Sequence, residues 1–323
     1  MPDRMFTETL RSAAANLYWG SRHLLAHVTG KVVILMYHRV LPRTEIASTF
    51  VQPGMYVTPE TFERHLQFLT THFELLTLRD LLAKWDFGDW NDRARYCAIT
   101  FDDGWADTYR HAFPLLRSYG APATIFVPTG LLGSNTRLWF DRLAEVLSRR
   151  GHGSCNEWDA LIERAKALHD AERETLIDRL ALEAGGVDTR GRRFMTWEEA
   201  EEMSRCGIVF GSHTKSHANL TRLDETALAA ELRESLDALR ARPVNHVPVL
   251  AYPNGSCNGE VARAAQAAGY RAAVTVRSGL ERSFPLDRFR LRRIAVHEDV
   301  SRSAPTLALH IGRQSVRPAS LIN

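Results

Sequence analysis

Short apolar runs alternate with stretches of helical spacing along most of this chain. "VVILMY" (Val32 to Tyr37), "CAITF" (Cys97 to Phe101), "ATIFV" (Ala123 to Val127), "IVFG" (Ile208 to Gly211), "PVLAY" (Pro248 to Tyr252) and "AAVTV" (Ala272 to Val276) read as buried strands. Between them the spacing predicts helices over "TPETFERHLQFLTTH" with Thr58 as cap, "ADTYRHAFPLLRSYG" closing on Gly120, "TWEEAEEMSRCG" closing on Gly207, and "DETALAAELRESLDALRA". Alternation of this kind predicts an α/β fold with a mainly parallel sheet and helices outside, as a barrel or an open sheet. The number of strands and the lack of a Gly-rich phosphate loop favour a barrel. One segment breaks the rhythm: about 138–190 is helical without strand signals, between the loop-like flanks "GSNTR" and "GGVDTRGRR", and reads as a helical insertion on the barrel rim. The expected organisation is an amphipathic helical segment over 1–30, a barrel over 31–300 and a loosely structured tail over 301–323.

Composition changes this picture little. With 323 residues, 45% hydrophobic and 24% charged, the chain can bury a full core. A net charge of +3 without a basic run gives no reason to expect nucleic acid as partner. The four cysteines, Cys97, Cys155, Cys206 and Cys257, form no C-x-x-C pair and fit a reducing compartment. The first residues lack the uninterrupted apolar core of a secretory signal, so the expected location is cytoplasmic, or the inner face of the membrane. Phe6, Leu10, Ala13, Leu17 and Leu24 or Leu25 recur at helical spacing with Arg11 and Arg22 among them. That stripe has two readings, a helix packed on the domain or a peripheral membrane contact.

Chemistry concentrates at two strand ends. In "AITFDDGW" two carboxylates, Asp102 and Asp103, follow a strand, where a plain continuation would aim one of them into the core. In "GSHTKSH", His213 and His217 stand four apart after another strand. If that stretch turns into helix, the spacing puts both imidazoles on one face, ready to share a metal. A strand-end Asp supplies a third ligand, and the other Asp is left to act as base on a metal-bound water. Each motif alone is commonplace; at strand ends of one β/α chain they reinforce each other. Zinc is the default for this ligand set, which also admits Co2+, Ni2+, Mn2+ or Fe2+.

"TFDDGW", then "GSHTKSHANL", then "LAYPNG" resembles the polysaccharide deacetylase family, the NodB-homology domain of carbohydrate esterase family four, over roughly Val32 to Val296. The resemblance implies a distorted (β/α) barrel and a metal-dependent hydrolase that removes N-acyl, occasionally O-acyl, groups from amino sugars, with Asp102 as general base and Asp103, His213 and His217 on the metal. It implies that Ser212 and Thr214 fix the histidine loop. "LMYHRV" on the first strand resembles the circularly permuted branch of the family, which includes deacetylases of poly-N-acetylglucosamine; there His38 is the general acid, with His297 as rival. "AYPNG" aligns with the segment whose backbone N–H, here of Asn254, faces the oxyanion, and Tyr252 forms a wall. The arginine that precedes this proline in many relatives is replaced by Ala251, so Arg293, or Arg292, is the candidate to hold Asp102. Trp105 is placed against substrate. Trp139 beside Asp141 suits a sugar ring, although Trp139 also reads as a core residue. The substrate is an N-acylated amino sugar, free or lipid-linked. A deacylase of a lipid-linked sugar and an inactive carbohydrate-binding barrel are the alternatives.

Overall fold

The apolar runs become the staves of a barrel. The computed structural model describes residues 2–21, 25–48, 51–52, 54–149, 155–185 and 193–314; Arg22, Leu24 and the flank 186–192 lie outside them. The strands are β1 (Lys31–Tyr37), β2 (Arg39–Val40), β3 (Tyr56–Val57), β4 (Glu74–Leu75), β5 (Tyr96–Phe101) and β6 (Ala123–Val127). They continue with β7 (Val209–Ser212), β8 (His246–Ala251), β9 (Ala272–Val274), β10 (Glu281–Arg282) and β11 (Ile294–Ala295). The helices are α1 (Pro2–Trp19), α2 (Arg43–Ser48), α3 (Pro59–His72), α4 (Leu78–Phe87), α5 (Phe113–Ser118), α6 (Trp139–Arg149) and α7 (Cys155–Ala167). After these come α8 (Asp170–Glu183), α9 (Trp197–Arg205), α10 (Glu225–Arg240), α11 (Gly259–Ala267), α12 (Glu298–Ser301) and α13 (Ala304–Gln314).

β1, β5, β6, β7, β8 and β9 pair in that order, all parallel. The circle closes irregularly. Val274 bridges Leu291, the Arg293 amide donates to the Arg277 carbonyl at 2.9 Å, and β11 pairs with the end of β1. This last stave, only partly strand, is the distortion of the barrel. Strand alternation divides the core: Val32, Ile34, Ala98, Phe126, Val249 and Val274 form one apolar set, while Val33, Leu35, Ile99 and Ile125 belong to another that includes the helical residues Phe62, Leu66 and Leu116. A Cβ on Gly211 would stand 2.6 Å from the Phe126 ring, so only glycine lets that ring fill its place. α4, which the sequence reading passed over, opens on a capping box of Thr77 and Asp80. It packs Leu81, Leu82 and Trp85 on the Val32 set and lies where the strands begin, its Leu78 amide bonded to Thr124 of β6.

The insertion is helical as expected: α6, α7 and α8 share a small core of Trp139, Leu143, Ile162, Ala165 and Ile177. The two ends of the chain differ from expectation. The segment after Ser301 is not a loose tail, because α13 buries Leu307, Ala308 and Ile311 and packs on α1 and α3; residues 315–323 lie outside the described ones. Helix α1 docks through Ala15 and Tyr18, whereas Leu10 and Leu17 of the expected apolar stripe are 56% and 79% exposed. Small residues decide this, since the Tyr18 hydroxyl lies so close to Gly312 of α13 that an added Cβ there would meet it at 2.8 Å. The side chain of Phe6 lies outside the described residues, and Leu25 is buried. Among the described residues no helix is long and apolar enough to cross a membrane.

One buried histidine ties α3 to the closing segment. His65 has Nδ1 3.0 Å from the Tyr37 hydroxyl and Nε2 against the Ser301 carbonyl. A carbonyl only accepts, so Nε2 carries the proton and Nδ1 accepts from Tyr37. Burial pushes the imidazole down to about 4, and it stays neutral in the fold. The unfolded chain titrates near 6.5, roughly, so this contribution is complete above that pH and is lost as the pH falls from there through the folded value. Its loss is on the order of 3 kcal/mol. Denaturant midpoints measured from pH 7 down to pH 4, roughly the titration window, are expected to fall less steeply for His65→Gln than for the native chain. Equal slopes would refute the assignment.

Candidate active site

The ends of β1, β5, β7 and β8 converge on a cleft of about 350 Å³ lined by His38, Asp102, Asp103, His213, His217, Tyr252 and Asn254. The paired acids do not alternate across a sheet. The strand stops at Phe101, and Asp103 (φ 69°) and Gly104 (φ 63°) take left-handed conformations that turn the chain, so both carboxylates reach the cleft.

Asp102 is 3% exposed and receives a two-pronged guanidinium: Arg293 Nη1 and Nη2 lie 2.7 Å from Oδ1 and Oδ2. Arg293 is fully buried, and its Nε donates to the Thr275 carbonyl at 3.0 Å. Burial by itself raises the Asp102 pKa, but the Arg293 charge and hydrogen bonds outweigh it and hold the carboxyl below its usual range. Arg292, the other candidate, turns to Glu281 instead.

Asp103 Oδ1 stands 3.2 Å from His213 Nε2 and 3.4 Å from His217 Nε2. The histidines sit on a loop and not on the helix their spacing suggested, because Thr214 (φ 64°) and His217 (φ 63°) both break helical geometry. Hydroxyls fix that loop: Ser212 Oγ accepts from the Thr214 amide at 3.1 Å, and Thr214 Oγ1 accepts from the His217 amide at 3.0 Å. From below, Ser235 donates to the Thr214 carbonyl and the Tyr270 hydroxyl lies 2.8 Å from Ser212 Oγ.

The donor set fits a metal ion. His213 Nδ1 lies 2.8 Å from the Ala251 carbonyl, which makes it the protonated nitrogen and leaves the Nε2 lone pair facing a carboxylate oxygen. Acceptors turned toward one another call for a positive charge between them. Two donors about 2.0–2.1 Å from a tetrahedral ion stand about 3.3 Å apart, close to the separations seen. The same demand shows in the titration of the site: burial lowers His213, but Asp103 and Asp102 outweigh it and raise it, while the two histidines hold Asp103 well below the usual carboxylate range against its own burial.

His38, on the residue after β1, lines the cleft, and so does His297. Burial lowers the His38 pKa, partly offset by Asp103 and Asp102. Asn254 takes a left-handed turn (φ 56°) at the wall, and Tyr252 stands there with its hydroxyl bonded to the Phe289 carbonyl. Trp139 is 6% exposed within the insertion core and also lines the cleft. Two expected substrate contacts are not in the cleft. Asp141, one residue further round α6 than the cleft-lining Phe140, faces Arg137 at 3.9 Å and Arg193 at 3.7 Å. Trp105 is 1% exposed, stacked on Phe194, and donates its indole N–H to Asp103 Oδ2 at 2.9 Å. The sequence reading missed Phe140, which packs edge-on against His217 at 5.7 Å, together with Met55, Val276 and Lys166. Phe140 directly follows Trp139 and was the one with a readable signal.

The sequence profile of the polysaccharide deacetylase family matches residues 90–273. YxkH of Bacillus subtilis (strain 168) is 24% identical over 278 residues, 85% of this chain and 74% of that protein. The poly-β-1,6-N-acetyl-D-glucosamine N-deacetylase of Staphylococcus epidermidis is 29% identical over 119 residues, 34% of this chain and 40% of its own. Among solved structures, the Streptococcus pyogenes deacetylase PplD in complex with acetate superposes with a TM-score of 0.60 at 22% identity, covering 87% of this chain and 98% of that one. IcaB from Ammonifex degensii gives 0.57 at 20%, covering 87% and 97%. These two share the fold. The profile match spans more than half of the chain and includes both acids, both histidines and Asn254, while His38, just after β1, and Arg293, just before β11, lie outside it. The chain thus belongs to the polysaccharide deacetylase family, hydrolases that act on carbon–nitrogen bonds.

Proposed function

We propose that this chain hydrolyses the amide of an N-acylated amino sugar, with acetyl as the acyl group. The observation that carries the reading is the pairing of an ionised, arginine-held carboxylate with three converging acceptors in one cleft. Asp103, His213 and His217 would hold a divalent cation, zinc by default, which when bound polarises the amide carbonyl and lowers the pKa of water. Asp102 takes the proton of the attacking water, and Arg293 keeps it charged and aimed for that task. The backbone N–H of Asn254 faces the oxygen on which negative charge develops. His38, which lines the cleft, gives a proton to the departing amine. Tyr252, Trp139 and Phe140 form the wall for the sugar ring.

A second reading, a lipid-linked amino sugar deacylated at a membrane surface, is favoured by one observation, the exposed Leu10 and Leu17 of α1. Acetate release is measured from soluble N-acetylglucosamine oligosaccharides and, in parallel, from a detergent-solubilised lipid-linked N-acetylglucosamine. Release from the first is expected; release from the second alone selects the other reading, and release from neither by the zinc-loaded or cobalt-loaded chain overturns both. Asp103→Asn is expected to abolish release. Its zinc affinity, read by chelator competition, is expected to fall by more than the roughly 10–100-fold typical of losing an outer hydrogen-bond partner.

A further inference from the structure

We propose that Trp105, Arg39 and Asp107 form a buried positioning relay that sets which oxygen of Asp103 is presented to the cation. This rests on Asp103 being a metal ligand. The two oxygens of Asp103 have different neighbours: Oδ1 faces both histidines, while Oδ2 accepts from the indole Nε1 of Trp105 at 2.9 Å. A contact between residues two apart requires the sharp turn at Asp103 and Gly104. Its tightness shows at Gly104, where an added Cβ would meet Val127 at 2.9 Å.

Two neighbours hold the indole. Phe194 stacks on it at 5.4 Å with planes 10° apart, and the Arg39 guanidinium lies over the ring at 4.6 Å. Arg39 is itself held, with Nε 2.9 Å from Asp107 Oδ2, and Asp107 Oδ1 accepts from the Val40 amide at 3.0 Å. Trp105, Arg39 and Asp107 are 1%, 7% and 3% exposed, so water competes for none of these bonds. With Oδ2 engaged by the indole, Asp103 offers one oxygen and keeps the cation's other positions free for water and substrate. Because Arg39 follows His38, the same Asp107 also anchors β2, the strand that begins next to the proton donor.

Trp105→Phe keeps an aromatic ring beside Phe194, removes the N–H donor and leaves a cavity where the rest of the indole packed. The metal-free variant is expected to melt lower because of the lost packing, and the affinity of the folded variant for Zn2+ and Co2+ is expected to fall about 10–100-fold. The visible absorption of the Co2+ form is expected to change as the freed oxygen joins the coordination. Native-like affinity with a native-like Co2+ spectrum overturns the relay. Should Trp105→Phe not fold, Arg39→Lys carries the test, since it keeps the charge beside Asp107 and loses the flat face over the indole; an affinity equal to the native chain's overturns the relay there too. A native chain that binds neither ion refutes the metal reading itself, a separate outcome.

Discussion

Asp102→Asn is expected to retain zinc and to lose turnover by about 100- to 10,000-fold, the range of a general base removed. The two acids are adjacent in sequence, yet only Asp103 points an oxygen at the histidines; Asp102 gives both of its oxygens to Arg293. Asn keeps the shape of the side chain and cannot take a proton at neutral pH. Calorimetric zinc titration and initial rates on one preparation check the division of labour. Normal rates would remove Asp102 from the mechanism, and loss of zinc would mean that the acids share the metal.

Arg293→Met is expected to destabilise the metal-free chain by about 3–5 kcal/mol, the cost of breaking a buried ion pair and leaving one charge alone. The arginine is fully enclosed, with Thr275, Thr100 and Asp102 as its hydrogen-bond partners and the Phe126 ring 5.7 Å away. Methionine fills much of that volume without the charge. The double variant Asp102→Asn/Arg293→Met is expected to be more stable than Arg293→Met alone, because no buried charge is then left unpaired. Urea unfolding of the single and double variants supplies the comparison. Additive losses would mean that the two side chains act independently, contrary to the geometry.

The histidine loop shows how two residues converge by a path that their spacing did not suggest. A four-residue spacing suggested one face of a helix, but the imidazoles converge because two left-handed residues and a set of hydroxyls shape a loop. The same cluster of acceptors can form from either geometry. Trp105 and Asp141 went the other way: their residue types suited a sugar, while their packing turned them toward Asp103 and toward arginines. At α1 the stripe of larger apolar residues seemed the docking face, yet alanine and tyrosine against a glycine made the closer fit.

By itself the sequence determined the staves, the capped helices, the inserted helical segment and the residue types of the site. These depend on periodicity, caps and strand ends, all of which operate within a few residues. Only the tertiary structure decided which arginine holds Asp102, 191 residues away in the chain, and which oxygen of Asp103 faces the histidines. It also decided which face of α1 is covered. Those choices turn on charges and rings meeting in a dry interior, where a partner's identity follows from how the barrel closes and not from any local pattern.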